Sequence, residues 1–422
     1  MSFAVFHPSV APFVQQAARA LHEAGQLARF ETALHDEPSR WSQKLLVGVA
    51  RLAGRDLAPQ FRRRAVTEIP PDLVRSHPWG EYARLAVGAI DRDGRATDFV
   101  WEKTEHAFDH AVSRSLDRSL TGIYGFEHSS LATFQRAREL GLRVAYDVPA
   151  PDSEFTHHIL DRELECFPEL RTPYRRHTAA REHRRLARRR AEWDAAHLVI
   201  AASEFTKRSY ADRGLDVSKV HVVPYGAPEP ASRDEALAPR DVSAPLTLLW
   251  AGTFSVRKGA HYLLEAWRSA DLGRYAQLEI FGTIDLPDRI LRQLPAGISL
   301  HGSIPRAHLL NEYQRADALI FPTLCDGFGM VVTEAWSRGL PVITTPAAGA
   351  ADLLKPRENG LLIPAGNVSA IADTVHWCID HRGELAAMRE SALATAASWQ
   401  WSDYRRSLAT ILRGHRFFVP PA

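Results

Sequence analysis

In the second half of the chain, short apolar runs rich in β-branched residues alternate with longer amphipathic stretches. The apolar runs cover 246–251, 278–281, 298–301, 318–321, 341–344 and 361–363. Stretches with helical periodicity cover 261–270, 307–315, 330–338 and 368–380. This alternation predicts βα units on a parallel sheet covered by helices. In the first half the same rhythm is fainter, with strands expected at 3–6, 122–126, 143–147, 197–202 and 220–224. Residues 37–120 resist assignment, because Ile69-Pro70-Pro71 and His77-Pro78-Trp79-Gly80 are turn signals. Residues 225–244 carry Gly226, Pro228, Pro230 and Pro239 with few apolar positions, which marks a linker. The expectation is an α/β protein of two doubly wound, Rossmann-like domains facing a deep interdomain cleft. Open parallel sheets bind ligands beyond the carboxyl ends of their strands, and clefts between domains are common ligand sites.

Composition narrows the class. A chain of 422 residues exceeds one ordinary core, so two domains fit its length. The formal charge of +2 implies no polyanion partner, and nucleic acid is not expected. Cys166, Cys325 and Cys378 are far apart and form no CxxC pair, so neither a disulfide framework nor a metal site is indicated. The start of the chain lacks a basic segment followed by an apolar core, and no apolar run is long enough to span a bilayer. A cytoplasmic protein is expected. Basic charge is nearly all arginine, with only six lysines, so a lysine inside a motif carries extra weight.

Two segments carry candidate chemistry. The first is Asp326-Gly327-Phe328-Gly329-Met330-Val331-Val332-Thr333-Glu334-Ala335, between an apolar strand and a helix. Its glycines let backbone approach a ligand, and a helix start offers unpaired N–H groups to a phosphate. Carboxylates at Asp326 and Glu334 suit sugar hydroxyls better than phosphate oxygens. The second is Trp250-Ala251-Gly252-Thr253-Phe254-Ser255-Val256-Arg257-Lys258-Gly259. Adjacent cations in a strand-to-helix loop clamp a diphosphate and stabilise charge growing on it as a leaving group.

In this order, the two segments resemble glycosyltransferase family 4, the retaining GT-B enzymes. Leu300-His301-Gly302-Ser303-Ile304 resembles the family loop that holds the nucleotide base, and Gly339-Leu340-Pro341-Val342-Ile343 is also similar. The resemblance covers roughly residues 197–400. It implies a donor-binding C-terminal domain at 227–399. The N-terminal acceptor domain would be 1–226, completed by 400–422, with a final helix returning to it. It further implies that Lys258 contacts the donor diphosphate, that Asp326 sits beside the donor sugar and that Glu334 holds ribose hydroxyls. Gly252, Thr253 and Arg257 join the phosphate loop, Ser303 and Ile304 the base loop. The backbone of Gly327, Phe328, Gly329, Met330 and Val331 meets sugar and phosphate. The implied reaction is metal-independent transfer with retention. The co-substrate is a nucleotide-diphosphate sugar, and the acceptor is a glycan or lipid-linked hydroxyl. No resident cofactor is expected. Two departures stand out: Thr253 replaces an arginine, and Asp326 replaces a glutamate. A catalytically silent nucleotide-sugar-binding protein of the same fold is therefore the alternative.

The N-terminal half matches less. Arg143-Val144-Ala145-Tyr146-Asp147 resembles the family strand that ends in a catalytic-domain histidine, with Asp147 in its place. An acid there could orient the sugar or take the acceptor proton. His157 and His158 are rival acceptor-side candidates, and His7 stands where the family has a glycine-rich loop. The run 171–190, from Arg171 to Arg190, is dense in arginine. It reads as a footprint on an anionic membrane, or as a solvated helix face balanced by Glu163, Glu165, Glu182 and Glu192.

Overall fold

The computed structural model describes residues 2–417 apart from 53, 55, 92, 242 and 416. The chain folds into two compact units. One comprises residues 1–148, 173–200 and 405–422, and the other 149–172 and 201–404. Residues 418–422 of the expected C-terminal return lie outside the described residues.

The first sheet contains β1 (Phe3–Phe6), β2 (Leu27–Thr32), β3 (Val74–Ser76), β4 (Gly122–Phe126), β5 (Arg143–Val148), β6 (Leu198–Ala201) and β7 (Val220–Val222). Their order is β3-β2-β1-β4-β5-β6-β7, and the pairs from β3 to β5 are parallel. Every residue of β1 and β4 is buried, as expected for strands covered on both faces. The strand β2 escaped the sequence reading because it interrupts its apolar pattern with Arg29 and Glu31. Both are buried, and they pair with each other at 2.7 Å. The 37–120 stretch forms β3 and the helices Trp41–Leu52, Ala58–Arg62, Trp79–Gly88 and Arg95–Ser115.

The second sheet contains β8 (Leu246–Ala251), β10 (Ala276–Phe281), β12 (Ile298–Gly302), β13 (Ala318–Phe321), β14 (Val342–Thr344) and β15 (Gly360–Leu362). The order is β12-β10-β8-β13-β14-β15, parallel throughout. Beside it, β9 (Phe254–Ser255) pairs with β11 (Ile284–Asp285). A core of Trp250, Trp267, Leu248, Leu278, Ile280 and Ile320 fills the space between this sheet and helices Ala260–Ser269 and Val368–Asp380. Burying such side chains contributes about 1.5–3 kcal/mol each.

The compact units do not follow the expected boundary at 226/227. Residues 149–172 and 201–226 group with the second unit, and local packing explains it. The Pro149 carbonyl abuts Gly327, Thr156 reaches Cys325 (3.4 Å), and Ser203 donates to the Gly327 carbonyl (2.6 Å). The segment 225–244 runs inside the second unit and includes the short helix Arg233–Ala236. At the other end, helix Trp401–Gly414 changes unit after Tyr404. Arg405 then binds Glu23 (2.8 Å) and Gln16 (2.6 Å) of the first unit, and Phe417 stacks on Phe3. Among the described residues no helix is long and apolar enough to cross a membrane.

Candidate active site

The carboxyl ends of the second sheet are joined by backbone hydrogen bonds. Gly252 N donates to Phe281 O (2.8 Å), and Gly282 N donates to Gly302 O (2.8 Å). After β9 the chain makes a tight turn at Val256–Lys258 and enters helix Ala260–Ser269 through Gly259. Gly259 has φ +79°, and a Cβ there would stand 2.1 Å from the Pro322 carbonyl. Only glycine permits both the left-handed backbone and this approach. Leu324 N also donates to Arg257 O (3.0 Å). The loop after β8 and the loop after β13 are thereby held together.

The result is a convergence of the two sequence motifs. Arg257 donates to the Cys325 carbonyl (2.6 Å) and to Asp326 Oδ2 (3.3 Å). Lys258 Nζ lies 3.9 Å from the same carboxylate oxygen and 5.2 Å from the centre of the Phe321 ring. It also sits over Gly252, 3.1 Å from where a Cβ would be. The Lys258 side chain is only 14% exposed. Burial pulls its pKa down and Arg257 adds to this, while Asp326 opposes it. A desolvated cation of this kind gains more from an incoming anion than one already in water. Thr253 takes another direction, with its hydroxyl 3.0 Å from that of Thr283.

The loop 326–329 is braced by protein on several sides. Asp326 N donates to Ala347 O (2.9 Å), and Gly349 N donates to Asp326 O (3.1 Å). The Gly327 carbonyl accepts from Ser203 and, at 3.0 Å, from Thr206. A Cβ on Gly327 would stand 2.1 Å from the Pro149 carbonyl, so the protein's own chain already requires this glycine. Phe328 is buried with its ring edge-on to Tyr225 (5.3 Å), an anchoring contact. Gly329, at φ +82°, opens helix Met330–Trp336, whose first residues Met330 and Val331 are half-buried.

Glu334 lies inside that helix and is buried. Its Oε1 is 2.9 Å from Arg306, and its Oε2 accepts from the Tyr313 hydroxyl (3.3 Å). Burial raises its pKa, against Arg306 and Tyr313. Both partners come from helix Arg306–Arg315, entered from Ser303 and Ile304. The base-loop candidates and Glu334 are thus linked through Arg306. Sequence reasoning missed Arg306 and Tyr313, although Arg306 follows Ser303-Ile304-Pro305 directly.

The helix Ser153–Cys166, capped by Asp152, packs its first turn on the 325–327 loop through Thr156 and Cys325. His157 Nδ1 is 2.5 Å from the Ser153 carbonyl, and His158 is exposed. Both histidines belong to the unit that holds the donor-site candidates.

In the first unit, the registers Phe6↔Gly125 and Phe126↔Asp147 place His7, Phe126 and Asp147 in one row across β1, β4 and β5. Asp147 is 1% exposed. Its Oδ2 accepts from the Tyr124 hydroxyl (2.6 Å), and its Oδ1 has no hydrogen-bond partner among the described residues. Burial pushes its pKa up to about 7, against the Tyr124 bond. The His7 ring meets Phe126 edge-on (5.1 Å), and its Nδ1 is 3.0 Å from Ser9 N. Burial lowers its pKa to about 4, so it is neutral at pH 7.

The arginine-dense run forms helices Pro173–Ala179 and Glu182–Ala195, and much of its charge is spent inside the first unit. Arg181 and Arg185 bind Asp98 (3.0 and 2.8 Å), Arg188 binds Asp109, and Arg189 binds Glu127 (2.7 Å). The side chain of Arg176 lies outside the described residues.

Two parallel-sheet, Rossmann-like units with candidate residues at the strand carboxyl ends define the GT-B class of fold. Solved structures bear this out. The Anabaena protein HepE, in complex with UDP and glucose, superposes at TM-score 0.63 and 17% identity, covering 98% of this chain and 99% of that one. A sucrose-phosphate synthase from Thermosynechococcus elongatus matches at the same TM-score, identity and coverage. More particularly, residues 245–381 match the family described as glycosyl transferases group 1. A D-inositol 3-phosphate glycosyltransferase from Xylanimonas cellulosilytica is 26% identical over 234 residues, covering 49% of this chain and 55% of that protein. The chain spans about half the length of the first such relatives it matches.

Proposed function

We propose that the protein moves a sugar from a nucleotide-diphosphate sugar to an acceptor hydroxyl, with retention and without a metal, in the assembly of a polysaccharide or glycolipid. One observation carries this reading. Arg257 and Lys258, from the loop after β8, meet Asp326, from the loop after β13, around a single carboxylate oxygen. The family match over 245–381 covers both loops, and relatives named as glycosyltransferases agree with it.

In this reading the donor diphosphate takes over the cations that Asp326 faces. Asp326 then turns to hydroxyls of the donor sugar, and Glu334 to those of the ribose. As the bond from the anomeric carbon to the phosphate oxygen breaks, Lys258 and Arg257 stabilise the charge gathering on the leaving diphosphate. The acceptor oxygen bonds to the anomeric carbon on the face being vacated, and its proton passes to the departing phosphate. Asp147 is the candidate for orienting the reacting sugar. Membrane contact through 171–190 is no part of this reading, because Arg181, Arg185, Arg188 and Arg189 are engaged within the first unit.

The test is calorimetry with UDP and UDP-glucose, followed by product analysis over a panel of nucleotide sugars and acceptors. An α-linked product from an α-linked donor supports the proposal. Binding without any product would leave the silent nucleotide-sugar-binding protein. Absence of both binding and turnover would overturn both readings.

A further inference from the structure

A groove opens at the carboxyl ends of β1, β2 and β3 in the first unit. Pro8, Ala33, His77 and Phe108 line its inner part, a cavity of ≈ 360 Å³. Past Pro78 it continues into a hollow of ≈ 570 Å³ edged by Glu37 and Arg40. Trp41 and Trp79 stand here, 67% and 66% exposed. Their rings are 6.3 Å apart and inclined at 56°. Aromatic side chains carry a large hydrophobic surface, so two left this open beside one another ask for an occupant.

The pair is held from below. Trp79 meets the ring of Tyr82 edge-on (5.9 Å, 87°). The Tyr82 hydroxyl is 3.1 Å from that of Ser42, the neighbour of Trp41. One buried bond thus ties together the two helices that carry the tryptophans, and the exposed face the two rings share is preorganised. Around the rings the groove is polar. Arg40 donates to Ser76 (2.7 Å), and Arg64 and Arg84 hold Glu81. Glu105 lines the inner cavity and has no hydrogen-bond or ion-pair partner among the described residues. Burial, helped by the charge of Glu81, raises its pKa to about 8, so at neutral pH it can both donate and accept.

Open aromatic faces ringed by hydroxyl, carboxyl and guanidinium groups match a sugar, whose C–H face is apolar and whose edge is hydroxylated. A lipid chain would leave Glu105, which lines the inner cavity, without a partner. An anion would face Glu37 and Glu81. We propose that the exposed Trp41–Trp79 face and the cavity behind it bind the acceptor as a neutral oligosaccharide, one ring stacked on Trp79 and its hydroxyls reaching Glu105. This rests on the glycosyl-transfer reading above and deepens it. The groove shares its sheet edge with His7, which precedes Pro8, and with Asp147.

The experiment uses the full chain on an array of neutral and anionic oligosaccharides of two to six sugars, with affinities then measured by tryptophan fluorescence. UDP binding by each protein checks folding and tests the donor reading separately. The proposal expects a neutral oligosaccharide to bind. It expects Trp79→Ala to weaken that binding by about tenfold or more, with Trp79→Phe retaining most of it. Glu105→Gln should weaken it by less than Trp79→Ala does. If Trp79→Ala fails to fold, Trp41→Ala and Glu105→Gln must still weaken binding. Three outcomes overturn the proposal. One is UDP binding without binding of any neutral glycan. Another is equal glycan affinity in the tryptophan variants. The third is binding to phosphatidylglycerol-containing vesicles that depends on Trp41 and Trp79, which would make the face a lipid contact. Loss of UDP binding in the unaltered protein would strike the donor reading instead.

Discussion

The carboxyl ends of the two sheets differ in their electrostatics. Around the second sheet, formal charges oppose one another at short range: Arg257 and Lys258 against Asp326, and Arg306 against Glu334. Around the first, ion pairs at Glu31 and Glu81 stand beside three groups that burial pushes toward neutrality. His7 is lowered to about 4, and Asp147 and Glu105 are raised to about 7 and about 8. The contrast fits the partners proposed for each. A diphosphate is recognised by cations fixed so that they converge on it. A sugar hydroxyl needs neutral groups able to give or take a proton, which burial supplies.

The largest expected effect tests the charged side. Lys258→Ala should lower kcat/KM with a nucleotide sugar by about 100-fold or more, as for loss of one group stabilising a leaving charge. Lys355→Ala should stay within about twofold, since Lys355 is exposed and its carboxylate partner Glu358 is 3.9 Å away. Equal losses in steady-state assays would end the role given to Lys258.

Next comes the neutral side. Asp147→Asn should reduce transfer by about tenfold or more while leaving UDP affinity intact. Stability gives an independent reading. In the fold Asp147 keeps its proton up to about pH 7, whereas an ordinary aspartate releases it near 3.8. The folded state therefore binds more protons in that window, and stability falls as pH rises through it, by up to roughly 4 kcal/mol. Denaturation at pH 5 and pH 8 should show a smaller fall in Asp147→Asn, the remainder belonging to Glu105 and Glu192, which burial raises to about 8 and about 7. An unchanged pH slope would mean that Asp147 is already ionised in the fold.

A smaller effect separates sugar contact from phosphate contact. Glu334→Gln should weaken UDP by about tenfold, through loss of charged hydrogen bonds to ribose, as read by calorimetry. No change in UDP affinity would confine Glu334 to its bonds with Arg306 and Tyr313. The smallest effect concerns the departure at Thr253. Thr253→Arg should tighten UDP by about two- to fivefold, the scale of one partly exposed cation. Weaker binding would mean that the Thr253–Thr283 contact matters more than the added charge.

Strand-helix alternation in 246–380 follows from hydrophobic periodicity, a local property, so the second sheet was readable in advance. The motifs at 250–259 and 326–335 were equally legible, because glycine, cations and acids at fixed spacing are local chemistry. Local signals failed where polar residues are buried by distant partners. Strand β2 hides Arg29 and Glu31 in a mutual ion pair, and the helices of 37–120 place Trp41 beside Trp79 across a loop. Sequence alone thus determined the fold class and named the candidate residues of the two motifs. Only the tertiary structure decided that Arg257, Lys258 and Asp326 meet, that Pro149 occupies the space beside Gly327, and that burial sets the charge of Asp147, His7 and Glu105. Contacts between residues far apart in the chain, and the removal of water around them, arise only when the backbone closes.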